Sequence, residues 1–412
     1  MVSLVQKRDW IAQKNYILLT VMFVAFPVMS HAGGLGIAAI VALSGLLGVI
    51  GFWPNQLRQF LITVPAAFWA IIALLTWGAI SVLWSPYQTS DTLNNAIKIL
   101  FGMPVYLGCA AMICAQNKYT RNILPWLFIA ALVGSVAAVL TDLMTNYSLT
   151  LFLDPLAEGE STSSRQADMI QNISHAVSVL VLLIVPASIF LWQKGSIGKL
   201  LAILLIGVIG FCTHKANASA AQVGLLAALV FMGLANLNAK LALRGAFLMA
   251  GASLLFAPIL AFLSGKSSAD MRAKLPFSWE ERVFNWEVLF QKILEHPIIG
   301  HGFDAVRTFN DTHTIRGFEG RALVSLHPHN AGLHLWVEVG FIGVILACLA
   351  LYLGTQKLTG DGGLSKQRMV AAAGFCAATT VMANLSYGVW QDWWWASIIF
   401  AAATISFIRK LT

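Results

Sequence analysis

Long apolar stretches, separated by short polar connections, repeat along nearly the whole chain. Stretches of about 18–25 apolar residues are long enough to cross a hydrocarbon core about 30 Å thick as helices. A helix suits this environment because its backbone hydrogen bonds are made within the segment. The pattern predicts an all-α, polytopic membrane helical bundle of about twelve transmembrane helices. The spans are expected at 16–32, 35–53, 60–84, 94–115, 123–145, 170–192, 198–214, 217–237, 241–264, 329–355, 368–389 and 393–409.

The composition agrees with a single membrane domain covering residues 1–412. The chain is 58% hydrophobic and 11% charged, whereas soluble domains carry about 25% charged residues. Basic residues precede the first apolar stretch, which extends without a convincing cleavage site and so predicts an uncleaved first span. The five cysteines lie in apolar stretches and form no CxxC, so neither a zinc site nor a disulfide framework is indicated.

The distribution of lysine and arginine predicts the orientation in the membrane. Under the positive-inside rule, the connections rich in these residues face the cytoplasm. These connections hold Lys7, Arg8, Lys14, Arg58, Lys118, Arg121, Lys194, Lys199, Lys240, Arg244, Lys357, Lys366, Arg368, Arg409 and Lys410. The short outer connections hold essentially Lys98 and Lys215, so both termini are expected to be cytoplasmic. The net charge of +8 then reflects orientation, and no basic stripe with interleaved aromatics indicates nucleic-acid binding.

Two outer segments, residues 146–169 and 265–328, are too long to be simple turns. Loops on a rigid scaffold often carry functional residues, so the larger segment, between the ninth and tenth predicted spans, is the expected location of a site. Within it, apolar residues at helical spacing predict an amphipathic helix. Ser278 and Glu281 predict a capping box at its start, and Pro297 is expected to help end it.

Two cations in the outer connections are candidate anion ligands. Arg282 falls in the predicted first turn of the amphipathic helix, where the helix dipole disfavours a cation. That placement is understandable if an anion lies between the helix N-terminus and the guanidinium group. The alternative is a solvated arginine paired with Glu281 or Glu287. Lys215 offers a similar choice, because it can mark a substrate path or simply extend to the membrane interface.

The segment HPHNAGLHLWVEVGFIG, residues 327–343, places polar groups at the outer end of an apolar stretch. Pro328 suits the first helical position, where its missing N–H costs nothing, and this puts His329 and Asn330 in the first turn. A helix N-terminus disfavours imidazolium, so His329 is expected to be neutral and able to accept a proton as a general base. Asn330 is expected either to orient the same hydroxyl group or to cap the helix.

The same segment allows a metal-site interpretation that combines His327, His329, His334 and Glu338. His329 and His334 are five residues apart and diverge on a helix, and no HExxH occurs, so no metal is expected. His334 and Glu338 are four apart and are expected to satisfy each other inside the bundle. No DxD occurs and the outer carboxylates are mostly scattered. A sugar transferase with this sequence would therefore need basic side chains in place of a divalent metal.

Four stretches resemble the O-antigen ligase and polymerase superfamily of membrane glycosyltransferases. HNAGLHLWVEVGFIG fits its His-Asn pair followed by Gly-x-x-Gly at Gly340 and Gly343. ERVFNWEVLFQKILEHPIIGHGF is similar to its Arg…Trp…His-Pro-x-x-Gly-x-Gly stretch. THKANASAAQVGLL and ISVLWSPYQTSDTLNNAIKIL resemble a helix start and an early outer turn, so that the resemblance covers roughly residues 70–390. Lys215 stands where the family usually carries arginine, which keeps the charge but loses the bidentate fork.

The resemblance implies a GT-C-like bundle in the bacterial inner membrane, with the 265–328 loop and the active site facing the periplasm. It implies transfer of O-antigen polysaccharide from undecaprenyl pyrophosphate to a sugar hydroxyl of lipid A-core. His329 would act as the general base with Asn330 in support, in an inverting displacement without metal or cofactor. The pyrophosphate would be bound by Arg282, Lys215, Arg321, Arg316 and Arg165. The expected partners are these two substrates and membrane lipid, with no nucleic acid, and the protein is expected to be a monomer.

Alternatives remain open within and outside this superfamily. An O-antigen polymerase also uses a lipid-linked acceptor, and a protein O-oligosaccharyltransferase uses a protein. Moderate length, one large outer loop and no appended soluble domain favour the ligase. A lipid or glycan transporter predicts ionisable residues at mid-membrane depth and interrupted helices. In this chain the charges concentrate at the outer rim, with Glu338 and Asp142 placed deeper.

Overall fold

The computed structural model describes residues 4–50, 64–115, 120–156, 161–324 and 326–409. Parts of the predicted spans 35–53 and 60–84 and of both long outer segments lie outside the described residues. The same holds for Arg58, Lys118 and Lys410 and for the side chains of Lys7 and Arg8.

Helices make up almost all of the described chain. They are α1 (Leu4–His31), α2 (Gly33–Val49), α3 (Ala66–Ile80), α4 (Ser90–Cys114), α5 (Leu124–Thr145), α6 (Ser148–Leu153), α7 (Thr162–Trp192), α8 (Gly195–Lys215), α9 (Ser219–Leu237), α10 (Ala239–Leu255), α11 (Ala257–Gly265), α12 (Ala269–Ala273), α13 (Phe277–Glu295), α14 (Ala331–Thr359), α15 (Lys366–Leu385) and α16 (Asp392–Thr404). Short 3-10 turns occur at Ser81–Trp84, Ala305–Thr308 and Ile405–Phe407. Strands β1 (Thr312–Ile315) and β2 (Phe318–Ala322) form an antiparallel hairpin, with a bulge between His313 and Ile315.

The all-α membrane architecture is confirmed. Among the described residues, 9 helices are long and apolar enough to cross a membrane, or 10 if the bent pair α10–α11 counts as one span. That pair covers the predicted span 241–264 and bends by 60° at Phe256. Helix α2, with 17 residues, and α16, with 13, are shorter than the spans predicted for them. The described residues thus account for nine or ten long spans, and parts of two of the twelve predicted spans lie outside them.

Helix α7 lies at the centre of the bundle. Its most apolar window is 83% buried, and it contacts α5, α8, α15 and α16. It begins at Thr162, where the Ser161 hydroxyl accepts a hydrogen bond from the Ser164 amide at 3.2 Å. The predicted start at residue 170 was therefore too late, because its polar first turns resemble a loop in composition.

Helix α13 corrects the predicted capping box. It begins at Phe277 after Pro276, and no side chain caps it. Ser278 is therefore inside the helix, and Arg282 lies in the second turn rather than the first. The apolar face of α13, including Leu289 and Ile293, is buried in a cluster shared with α11 and α14.

A break inside α14 joins the outer segment to the bundle. Gly340 has φ 64° and ψ −167°, a non-helical conformation that interrupts the helix. The segment 297–302 lies against this break, and its amides at His301 and Gly302 donate to the carbonyls of Val337 and Glu338 at 2.7 and 2.8 Å. Backbone groups released by the break are thus satisfied by the segment after α13, which fixes the outer loop relative to the apolar helix.

Candidate active site

A polar cavity of about 470 Å³ lies where the outer segment meets the bundle. Its walls come from α4, α7 and α14, from the turn after α13 and from the connection between α15 and α16. They are lined by Asn95, Ile99, Gln171, Phe303, Asp304, Arg307, Leu326, His327, His329, His334, Gly388, Trp390, Gln391 and Asp392. Histidines, amides, carboxylates and one arginine therefore share a single space.

The predicted base His329 lies in this cavity, although not in a helix. Helix α14 begins at Ala331, and the Asn330 side chain caps it by accepting a hydrogen bond from the Leu333 amide at 3.0 Å. Pro328, His329 and Asn330 all precede the first helical residue, so their expected placement in the first turn was wrong. His329 has a left-handed φ of 52°.

One hydrogen bond sets the tautomer of His329. Its Nδ1 lies 2.7 Å from the carbonyl oxygen of Ser386. Because a carbonyl oxygen can only accept, Nδ1 carries the proton, and Nε2 of the neutral ring is the proton-accepting atom. Burial lowers the pKa of His329 from its ordinary value, the Ser386 hydrogen bond opposes this, and nearby Arg282 lowers it further. Burial is the largest contribution to the lowered pKa of His329.

Arg282 stands apart from the other arginines of the outer segment. In the described part of the chain its buried Nε has no acceptor, and it forms no salt bridge. Glu281 pairs with Arg321 and Glu287 with Arg272, so neither carboxylate expected as a partner is used by Arg282. Burial lowers the pKa of Arg282, while Glu281 raises it. Arg282 does not line the cavity, but its charge acts on cavity-lining His329.

The remaining predicted phosphate ligands lie outside the cavity. Three of them form ion pairs, which are Arg321 with Glu281, Arg316 with Glu280 and Arg165 with Asp154. Lys215 is exposed at the C-terminal end of α8. The structure therefore brings Arg282 to the histidine segment and does not bring these four cations into the cavity.

His334 and Glu338 form the expected contact within a larger network. The Val389 amide donates to His334 Nδ1 at 3.2 Å, so His334 Nε2 carries the proton and faces Glu338 Oε1 at 3.4 Å. Glu338 also accepts hydrogen bonds from Trp390 Nε1 at 2.6 Å and from the Val306 amide at 3.3 Å. Glu338 is fully buried and thereby ties α14 to two cavity walls.

Among the described residues, no group of His, Cys, Asp and Glu side chains could hold a metal ion.

Sequence reasoning missed several cavity residues. Asp304 and Arg307 directly follow the stretch EHPIIGHGF, and that proximity was the available signal for them. Asp304 is 7% exposed with a left-handed φ of 59°. Asn95 lies in the stretch ISVLWSPYQTSDTLNNAIKIL, whose resemblance to an early outer turn was the available signal. Trp390 carried no such signal, because it lies far from the histidine segment along the chain and joins it only through helix packing.

The comparisons with known proteins point to one family. The O-Antigen ligase family model matches residues 201–348. The "O-antigen ligase" of Pseudomonas aeruginosa is 24% identical over 324 residues, which are 76% of this chain and 70% of that relative. Over these stretches, the chain is therefore similar to O-antigen ligases.

Proteins named "Putative polysaccharide ligase" from Rickettsia bellii and Rickettsia felis are similar to part of this chain. They are 29% and 27% identical over 163 residues. These alignments cover 38% of this chain and 39% of each relative's length.

The O-antigen ligase match contains the candidate ligands Lys215 and Arg282 and the whole histidine segment. It ends before Ser386, which fixes the His329 tautomer, and before Trp390, which contacts Glu338. Part of the cavity is therefore built from residues that the family match does not reach.

Proposed function

We propose that this protein transfers O-antigen polysaccharide from undecaprenyl pyrophosphate to a sugar hydroxyl of lipid A-core. The acceptor O–H proton passes to Nε2 of His329 while the acceptor oxygen attacks the anomeric carbon of the donor. The bond from that carbon to the pyrophosphate breaks, and the leaving group takes the electron pair. A single displacement of this kind inverts the anomeric centre, and it needs no covalent enzyme intermediate.

The observation that carries this proposal is the neutral His329 in a polar cavity of a chain with an O-antigen ligase match. Its Nδ1 is engaged by the Ser386 carbonyl, which leaves Nε2 as the base. A positioned base contributes about 10²–10⁴-fold to such reactions. Arg282 supports the departing pyrophosphate in the proposal, because a partly buried guanidinium without a carboxylate partner favours an anion.

A second cavity suits the lipid part of the proposed donor. It has a volume of about 820 Å³, is lined mainly by apolar side chains, and shares Gly388 and Trp390 with the polar cavity. A polyprenyl pyrophosphate is apolar along its chain and anionic at its head. Two adjoining cavities of opposite character therefore support a lipid-linked donor.

The proposed setting is the bacterial inner membrane, with both termini in the cytoplasm and the polar cavity open to the periplasm. The excess of lysine and arginine in the opposite connections supports this orientation. The segment between α11 and α14 would then meet both lipid-linked substrates at the outer leaflet. Holding the two substrates together would supply part of the rate by proximity.

An acceptor assay tests the proposal. Purified protein in lipid vesicles is given undecaprenyl-pyrophosphate-linked O-antigen together with lipid A-core, a second lipid-linked O-antigen or an acceptor protein. Glycan is expected on lipid A-core. Transfer confined to the second lipid-linked glycan would indicate a polymerase, and transfer confined to protein would indicate an O-oligosaccharyltransferase.

His329→Ala tests the base in the same assay. The rate is expected to fall by about 10²–10⁴-fold, with an unchanged thermal melting temperature. His214→Ala is the matched control, because His214 is exposed on α8 and lines neither cavity. Wild-type transfer by His329→Ala would remove His329 as the base.

A further inference from the structure

Arg307 is a cation of the cavity that the proposed function has not used. Its Nε donates to Asp304 Oδ1 at 3.2 Å, and its side chain is 37% exposed. In the described part of the chain, its terminal nitrogens have no hydrogen-bond acceptor. The guanidinium group is thus fixed at one edge, while the two terminal NH₂ groups stay available to a ligand.

Asp304 is held in place from the other side by the membrane bundle. Its Oδ2 accepts a hydrogen bond from Asn95 Nδ2 of α4 at 3.1 Å. Asn95, Asp304 and Arg307 therefore form a chain of contacts that leads from a transmembrane helix into the cavity. All three residues line the same space as His329.

Stability does not explain this arrangement. A non-glycine residue at positive φ, such as Asp304 at 59°, is strained. Burial raises the pKa of Asp304, as does nearby Glu338, while Asn95 and Arg307 oppose the shift. An i,i+3 pair with a partly exposed arginine adds little to stability. Strained backbone positions cluster at active sites and ligand-binding sites.

Arg282 and Arg307, from different segments of the chain, both act on one histidine, His327. Burial is the main cause that lowers the pKa of His327, and the charges of both Arg282 and Arg307 contribute. Arg282 comes from α13, and Arg307 comes from the 3-10 turn Ala305–Thr308. A pyrophosphate group presents two phosphoryl units, and two separate guanidinium groups match that charge distribution.

We propose that Arg307 is a second pyrophosphate-binding residue of the donor site and that Asp304 is the positioning residue that aims it. This inference rests on the proposed function, since it assigns the donor's leaving group to one wall of the cavity. Arg307 binds through its terminal nitrogens, and Asp304 holds its Nε. Asn95 in turn holds Asp304.

Binding of inorganic pyrophosphate to the purified full-length protein tests Arg307 directly. Arg307→Gln is expected to weaken this binding by about 10- to 100-fold, because hydrogen bonds to a charged group are lost. Arg307→Lys is expected to weaken it less, since it keeps the charge and loses the fork. Arg272→Gln is the matched control, because Arg272 is also ion-paired in the outer segment but does not line the cavity.

Asp304→Asn separates positioning from simple electrostatics. Removing a negative charge beside a bound anion should tighten pyrophosphate binding if charge alone matters. Asparagine keeps one acceptor oxygen but loses the charge, and its NH₂ group cannot accept from Asn95. A weaker hold on Arg307 should instead weaken binding and raise the donor KM, with kcat nearly unchanged. Tighter binding by Asp304→Asn would therefore overturn its positioning role, provided that the melting temperature stays at the wild-type value.

The outcomes also separate this inference from the proposed function. Wild-type pyrophosphate affinity and donor KM in Arg307→Gln would overturn the role of Arg307, even if the wild-type protein transfers glycan to lipid A-core. The opposite result is that pyrophosphate binding depends on Arg307 while the protein transfers no glycan to any acceptor. That result would support the anion site and reject the proposed transferase activity.

Discussion

At the scale of single residues, the chemistry of His329 depends on one backbone contact. The Ser386 carbonyl, 57 residues further along the chain, holds Nδ1 and so determines which ring nitrogen can accept a proton. Sequence reasoning found His329, because the His-Asn pair marks the start of an apolar helix. It could not identify Ser386, because the local sequence around Ser386 does not show that its backbone carbonyl will face the His329 ring.

The lowered pKa of His329 predicts the acidic limb of the pH profile. Only the neutral ring acts as a base, and burial keeps the ring neutral below the ordinary value of 6.5. As the pH falls through the lowered pKa, His329 becomes protonated and the transfer rate drops. The midpoint of this limb in kcat/KM for glycan transfer is therefore expected below pH 6.5. A midpoint above that value would contradict the burial argument.

At the scale of elements, the break in α14 organises the site. Glu338 precedes the break and reaches both Trp390 and the Val306 amide, while segment 297–302 fills the gap in the helix. The two glycine motifs were visible in the sequence as separate signals. Their contact was not predictable, because backbone groups that leave a helix can be satisfied by any segment that packs against them.

Gly340→Ala tests this junction. The backbone of Gly340 lies in a region that is nearly exclusive to glycine, and an added Cβ would lie 2.3 Å from the Ile298 carbonyl oxygen. A loss of about 1–3 kcal/mol of stability is expected from backbone strain alone, together with loss of transfer. The measurement is thermal unfolding of the detergent-solubilised protein.

Gly207→Ala is the control for that experiment. Gly207 lies in α8, and an added Cβ would have no neighbour within 4 Å. Alanine favours a helix more than glycine does, so the melting temperature should stay the same or rise. Equal destabilisation by both substitutions would show that the break at Gly340 has no special role.

At the scale of the whole molecule, the cavity joins segments that are distant in the chain. Its walls include Asn95, Gln171, Asp304, His329 and Trp390. These polar groups surround one space, yet no His, Cys, Asp and Glu cluster suited to a metal ion occurs among the described residues. The proposed mechanism assigns the chemistry to basic side chains and the histidine base, without a metal.

Chelation tests that conclusion. Glycan transfer is expected to be unchanged when EDTA is present in excess over divalent cations, because Arg282 and Arg307 take the place of a metal at the pyrophosphate. The measurement is the initial rate in the lipid vesicle assay. Loss of activity in EDTA and its return on addition of Mg²⁺ would reject the metal-free mechanism.

The sequence by itself determined the membrane bundle and the approximate positions of many of its helices, and it placed His329 near the outer end of an apolar helix. Those features follow from local patterns, since apolar length and residue order are fixed within each segment. The tertiary structure decided that Arg321 pairs with Glu281 while Arg282 stays without a carboxylate partner. It also placed Asp304 and Arg307 in the cavity with His329. Ion pairing and cavity walls depend on which distant groups packing brings together, and that information is not local.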